Sequence, residues 1–285
     1  MQIFFMGIFL VVACSTASAQ EVLVFLRDKS IDESSGIDSS YKRPSAVWTH
    51  NDSGGKDRAY LVDLTTGETA GKVEIQKSDN RDWEDIATFR INDSSYLMIC
   101  DVGDNLKRRK DYQLCILPEP AFDKSVDSRR SEDWLNIEFT YEDGPRNCES
   151  VAVDTKAGKI LMIEKIYPEA QGTPGIYEIP LPTVLAGPKQ LFVAKRIGEI
   201  GLKNLTGMDI SDDGQSLVLR NYARAWIYRK KPNQSWAETL ERDLPPAITL
   251  PLQPQGEGIC FSGDGKTILL SSENEKQPIW RVPMP

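Results

Sequence analysis

The chain has 285 residues and a formal net charge of −8, with 42 Asp and Glu against 34 Lys and Arg. That balance argues against nucleic acid or an anionic membrane as partner, since both select a basic surface. His50 is the one histidine and no CxxC pair occurs, which excludes His-rich and ribbon-type zinc sites and makes any Ser-His-Asp triad depend on a single residue.

At the start of the chain, an apolar stretch from Ile3 to Ala13 precedes Ala17-Ser18-Ala19, the small-x-small pattern of a signal-peptidase site. Residues 1–19 are therefore expected to be a signal peptide and residues 20–285 one exported domain, periplasmic or extracellular. Val11-Val12-Ala13-Cys14 resembles a lipoprotein box, so anchoring through a lipidated Cys14 is the alternative. The stretch is shorter than the ~20 apolar residues that span a bilayer, and no membrane span is expected.

Five segments then share one grammar, a polar or acidic residue, a small residue and alternating apolar positions. They are Ser35-Gly36-Ile37-Asp38, Glu84-Asp85-Ile86-Ala87, Glu149-Ser150-Val151-Ala152, Thr206-Gly207-Met208-Asp209 and Glu257-Gly258-Ile259-Cys260. The second departs from the grammar with Asp85 in the small position. The segments recur every ~50–65 residues, the length of a four-stranded propeller blade with its loops. Second strands follow at Ala46–His50, Tyr96–Asp101, Ile160–Lys165, Ser216–Arg220 and Thr267–Ser271, after turns such as Asp212-Asp213-Gly214 and Gly263-Asp264-Gly265. Third strands fall at Ala59–Leu64, Tyr112–Leu117, Gly175–Ile179, Ala225–Arg229 and Pro278–Val282. Fourth strands fall at Lys72–Ile75, Leu135–Tyr141, Leu191–Ile197 and Ile248–Leu252. The last unit lacks a fourth strand and the chain has one to spare, Glu21–Arg27. The expected fold is all-β, a five-bladed propeller whose last blade the N-terminal strand closes. A sixth, degenerate blade within the polar insertion from Ala121 to Asp133 is the alternative. Cys100 and Cys115 fall on neighbouring strands, where a disulfide and two buried thiols are both open.

Propeller geometry brings the first-strand starts and second-strand ends to one face. Ser35, Glu84, Glu149, Thr206 and Glu257 are expected to ring the channel mouth. His50-Asn51-Asp52, Asp101 to Asn105, Glu164-Lys165, Arg220-Asn221-Tyr222 and Glu273-Asn274 are expected beside them. Three converging glutamates need a cation, a neighbouring Arg220 or Lys165, or protons. An oxygen-only donor set suits Ca²⁺, with Mg²⁺ the weaker choice. The bland alternative has the same acids tie blades together through backbone amides. His50 with Asp52 or Asp101 is a candidate general base, and Arg220 a candidate cationic group; the His-Asn-Asp-Ser-Gly run favours a loop-ordering histidine. Ser53 lacks the Gly-x-Ser-x-Gly setting of an esterase nucleophile. Trp48 and Trp83 are candidates for a pocket wall or for core.

The ordered motifs Trp48-Thr49-His50-Asn51-Asp52-Ser53-Gly54, Asp82-Trp83-Glu84-Asp85-Ile86-Ala87, Asp101-Val102-Gly103-Asp104-Asn105, Asn147-Cys148-Glu149, Leu205-Thr206-Gly207-Met208, Leu219-Arg220-Asn221-Tyr222 and Gly256-Glu257-Gly258-Ile259 resemble a family of secreted bacterial propellers akin to those with phytase-like esterase activity. A remoter similarity is to the gluconolactonase, regucalcin and paraoxonase propellers, which hold a divalent cation at the channel mouth. That resemblance implies a metal-ligating glutamate at Glu84, Glu149 or Glu257. It leaves Asn51, Asn105 and Asn221 as candidate asparagine ligands, with Asp104 beside Asn105 in the same loop. Three functions follow as expectations: a cation-dependent hydrolase of an ester, lactone or phosphate ester, a propeller that binds a small molecule or surface ligand on the same face, and a structural module whose acids only staple the blades. The chain is expected to act as a monomer.

Overall fold

The computed structural model describes residues 19–78, 80–122, 127–131 and 133–285, with backbone alone at 127 and 128. The export segment, with Cys14, lies outside the described residues apart from Ala19. No helix among the described residues is long and apolar enough to cross a membrane.

The fold is all-β. Strand β1 (Glu21–Phe25) precedes an antiparallel meander of β2 (Ser34–Ser39), β3 (Ala46–Asn51), β4 (Arg58–Asp63) and β5 (Thr69–Ile75). Next come β6 (Trp83–Ile91), β7 (Ser94–Asp101), β8 (Tyr112–Pro118), β9 (Asp127–Ser131) and β10 (Leu135–Tyr141). A third group holds β11 (Cys148–Asp154), β12 (Lys159–Glu164), β13 (Gly175–Pro180) and β14 (Gln190–Glu199). Then follow β15 (Gly207–Ile210), β16 (Ser216–Arg220), β17 (Arg224–Arg229), the short helix α1 (Trp236–Leu240) and β18 (Ile248–Thr249). The chain ends on β19 (Gly256–Phe261), β20 (Thr267–Ser272) and β21 (Pro278–Pro283).

The innermost strands neighbour one another in the order β2, β6, β11, β15, β19 and back to β2. Sheets radiating from such a ring are the plan of a β-propeller. Its inner strands are buried on both faces, as in β11 and β19, whereas the outer β5 and β10 alternate buried and accessible positions. Separate apolar clusters fill the gaps between successive sheets, for example Trp48, Leu61 and Val73 against Trp83, Ile86 and Ile99.

Close approach of the inner strands explains the small residue in the repeated segments. A Cβ on Gly36 would stand 2.6 Å from the backbone nitrogen of Ile86, and one on Gly207 2.6 Å from the backbone oxygen of Glu257. Asp85, the exception, is used as a clasp: the Val151 N–H of the next inner strand donates to its carboxylate at 2.8 Å. The same device recurs where Phe261 N–H donates to Asp209 at 2.8 Å and Thr88 N–H donates to Asp38.

Strand β1 lies antiparallel on β21, pairing Val22 with Trp280 and Val24 with Ile279, so the two ends of the described chain meet in the sheet β1-β21-β20-β19. Leu26 and Ile31, just beyond β1, are buried in the adjoining cluster.

Three features were not expected. The polar insertion supplies β9, which lies parallel to β5 on the outer edge of the first sheet, rather than four strands of its own. Strand β14 pairs antiparallel with β13 through its second half and parallel with β10 through its first. It thereby joins two groups into one eight-stranded sheet whose end strands, β6 and β11, are neighbours. Helix α1 carries a full capping box on Ser235 and Glu238, and Trp236 donates to Asp154 at 2.8 Å.

Cys100 and Cys115 are free thiols, as are Cys148 and Cys260. Cys100 faces Leu114 and Cys115 faces Ile99, a one-residue offset that sends the two thiols into different apolar clusters.

Candidate metal centre

Glu84, Glu149 and Glu257 each take the second position of an inner strand, β6, β11 and β19; Ser35 takes that of β2, and Thr206 directly precedes β15. The pairing register slips there, between Trp83 and Asp85, Cys148 and Ser150, Gly256 and Ile259, and Ser34 and Ile37. A bulge leaves one residue without a ladder partner and re-aims its side chain. Here the residues so released include the acids themselves. Carboxylate oxygens of Glu84, Glu149 and Glu257 lie within 4.8 Å of one another, all buried.

Their neighbours hold them unequally. Lys165 donates to Glu149 in a buried ion pair and to the Tyr222 hydroxyl at 3.1 Å. Asn147 donates to the other Glu149 oxygen at 3.3 Å. Glu257 accepts from Ser35 at 3.1 Å, Gln255 at 3.2 Å and Tyr222 at 3.4 Å. Glu84 is 3 % exposed, and while its backbone carbonyl accepts from Ser35 at 2.8 Å, its carboxylate accepts no hydrogen bond among the described residues. It also belongs to a second acidic group, with Asp52 and Asp82, whose oxygens again lie within 4.8 Å of one another.

Burial and like charge push Glu84, Glu149, Asp52, Asp82 and Glu273 upward. Glu84 is held well above the usual carboxylate range by burial, then by Glu149, Asp52, Glu257 and Asp82. Burial takes Glu149 to about 8, against the pull of Lys165 and with the push of Glu257. Asp52 rises to about 7 through burial and the charges of Asp82 and Glu257, and Glu273 to about 8 through burial beside Glu257 and Asp52. Although burial disfavours its charge, Lys165 stays above its ordinary range because Glu149 and Glu257 face it. Such a cluster takes up protons or cations.

The donors fit a hard divalent ion. They are oxygens alone, one carboxylate is unpartnered, and the backbone opens to admit them: a Cβ on Gly103 would stand 2.3 Å from Glu84 Oε1 and 2.5 Å from Asp82 Oδ2.

Other expected site residues are placed differently. His50 is fully buried against Gly36, edge-on to Trp83 with ring centroids 5.7 Å apart, and its Nδ1 meets Asn51 O at 3.0 Å. Burial pushes its pKa down to about 4, so it is a neutral core ring. Arg220 is a buried staple, donating to Gly258 O at 2.9 Å, Gln253 at 3.0 Å and Ser271 O at 3.3 Å; burial lowers it to about 9. Asp101 is committed to Arg109 at 2.7 Å and Arg81 at 3.2 Å. Asp104 accepts from the Arg108 and Arg109 N–H groups and from Tyr112. Asn105 accepts from Tyr167 at 2.9 Å and Asn147 at 3.2 Å, one residue removed from Glu149. Asn51 ties down the Ser30–Asp32 loop and Asn221 caps its own turn, while Trp48 and Trp83 are core. Of the four expected catalytic residues, Asp52 is the one that joins the acids.

Residue reading placed Glu273 on this face but gave no site role to Asp82, Gly103 or Asn147. The signal for Asp82 and Gly103 lay in the Asp-Trp-Glu-Asp and Asp-Val-Gly-Asp-Asn runs.

No protein-family model and no curated protein matches the chain. Among solved structures it is similar to a gluconolactonase of Xanthomonas campestris, at 9% identity and a TM-score of 0.47, over 88% of this chain and 72% of that one. It is also similar to the hydrazine synthase of Kuenenia stuttgartiensis, at 11% identity and a TM-score of 0.44, over 84% of this chain and 68% of that one.

Proposed function

We propose that the chain is a secreted, five-bladed propeller that hydrolyses an ester, lactone or phosphate ester with a divalent cation, calcium above magnesium, held by Glu84, Glu149 and Glu257. The observation that carries this reading is a set of three buried carboxylates delivered by three inner strands, one of them without a hydrogen bond. The order of its sequence motifs, which resembles the phytase-like esterase propellers, agrees with an ester-type substrate. A cation held by Glu84, Glu149 and Glu257 would supply polarisation of the scissile oxygen and an acidified water.

The chain's own groups set the geometry. Lys165 pins Glu149, while Ser35, Gln255 and Tyr222 fix Glu257. Glu273, half-buried beside Glu257 and Asp52 with its carboxyl at about 8, is the rim group that exchanges a proton near neutral pH. His50, Asp101 and Arg220 support the frame.

The test is hydrolysis of aryl acetates, a γ-lactone and an aryl phosphate by chelator-treated protein with calcium restored. Activity on one class that calcium restores and Glu84→Gln abolishes is expected. Calcium-independent turnover, or none on any class, would overturn the reading.

A further inference from the structure

The glutamate ring already contains a cation of its own, the Lys165 ammonium on Glu149. The neighbouring group is in contact with none, although the Arg109 charge works against the rise of Asp82. Among the described residues Asp52, Asp82 and Glu84 form no ion pair with any Lys or Arg, yet each keeps an oxygen within 4.8 Å of the others. We infer that Asp52, Asp82 and Glu84 form a second divalent-cation site, sharing Glu84 with the glutamate ring. It deepens the proposed function and depends on that reading only through the shared residue.

Three independent observations support the site. Glu84 is nearly fully buried, its carboxylate lacks a hydrogen-bond partner among the described residues, and it is directed into this group as well as the ring. Asp52 Oδ1 is likewise buried without a partner. Gly103 supplies the space, since any side chain there would overlap both Glu84 and Asp82. The backbone around the site is already hydrogen-bonded: Gly103 N–H donates to Asp82 O at 3.1 Å, Asp82 N–H donates to Asp101 at 3.1 Å, and Asn80 donates to Asp52 O at 2.9 Å.

Hard cations prefer such sets, completing a shell of six to eight oxygens with water or substrate. Two ions joined by one carboxylate suit a substrate oxygen shared between them, as in many hydrolases of phosphate esters.

Calcium titration of the chelator-stripped chain, followed by calorimetry, tests the site. Two equivalents are expected for the wild type and one for Asp82→Asn, with Asp52→Asn as the replicate should Asp82→Asn melt early. Manganese offers a second readout. Two Mn²⁺ ions sharing a carboxylate couple magnetically and broaden the resonance, and Asp82→Asn should return the six-line spectrum of an isolated ion. Binding unchanged by both Asp82→Asn and Asp52→Asn would overturn the inference while leaving the glutamate ring standing. Binding that Asp82→Asn removes and Glu149→Gln leaves intact would uphold the inference and remove the ring as a cation site. No binding at all would overturn both.

Discussion

Replacing Lys165 by Met removes the ammonium that contacts the acidic ring among the described residues. Both partners of the Lys165–Glu149 pair are buried, at 4 % side-chain exposure each, so solvent cannot take over the lost interaction. Breaking a buried pair from one side costs ~3–5 kcal/mol, because the partner charge is stranded. For a domain of this size that corresponds to roughly 6–20 °C in melting temperature, at ~2–4 °C per kcal/mol. The loss must depend on pH. Glu149 has a folded pKa of about 8, above its unfolded value, so its contribution is fully present below the usual carboxylate range and is lost as pH rises through about 8. Urea unfolding of Lys165→Met in chelator should therefore show the full deficit near pH 9 and a much smaller one near pH 5. Saturating calcium should recover ~3 kcal/mol of the deficit at a hundred times its dissociation constant. A variant as stable as the wild type near pH 9 would refute the assignment of Lys165 as the ring's counter-charge.

Other changes probe the remaining parts. Deleting residues 20–28 removes β1 from β21 and Leu26 from its cluster, and should consume most of a stability of ~5–15 kcal/mol; cooperative melting at the wild-type temperature would sink the closure. Gly103→Ala places a methyl group against the flexible ends of Glu84 and Asp82, so calcium affinity should fall at least ~10-fold, about 1.4 kcal/mol, with little change in the chelated melt. At the opposite end of the inner strands, burial and mutual repulsion raise Asp38 well above the usual range, and burial takes Asp209 to about 7. Stability from this pair is present at acid pH and lost as pH rises through about 7; Asp209→Asn, which keeps an acceptor for Phe261 N–H, should flatten that slope in thermal melts.

Most of the strand plan could be read from the residues, because turn chemistry and apolar alternation are local. The strands at Ser216–Arg220 and Leu135–Tyr141 match the expected bounds, and the N-terminal strand pairs where the unfilled place required it. The parallel pairings of β9 and β14 were not legible, since they join segments with no shared turn. The same limit governs the site. Glu84, Glu149 and Glu257 were found because they repeat at one structural position, and repetition survives in a sequence. His50 and Arg220 stood as candidates for chemistry because their side chains are polar, with loop ordering the favoured reading of His50; burial makes one a neutral ring and the other a backbone staple. Only packing determines that difference. Gly103 was visible as a motif letter, but its role is the space it leaves, which a sequence does not display.

The central claim is that three inner strands deliver Glu84, Glu149 and Glu257 to a divalent cation. The most direct measurement is an anomalous difference map from crystals of the chain grown with manganese. The account predicts a strong peak within coordinating distance of all three carboxylates, lost in Glu149→Gln crystals. A map at millimolar manganese with no peak among these carboxylates would contradict it.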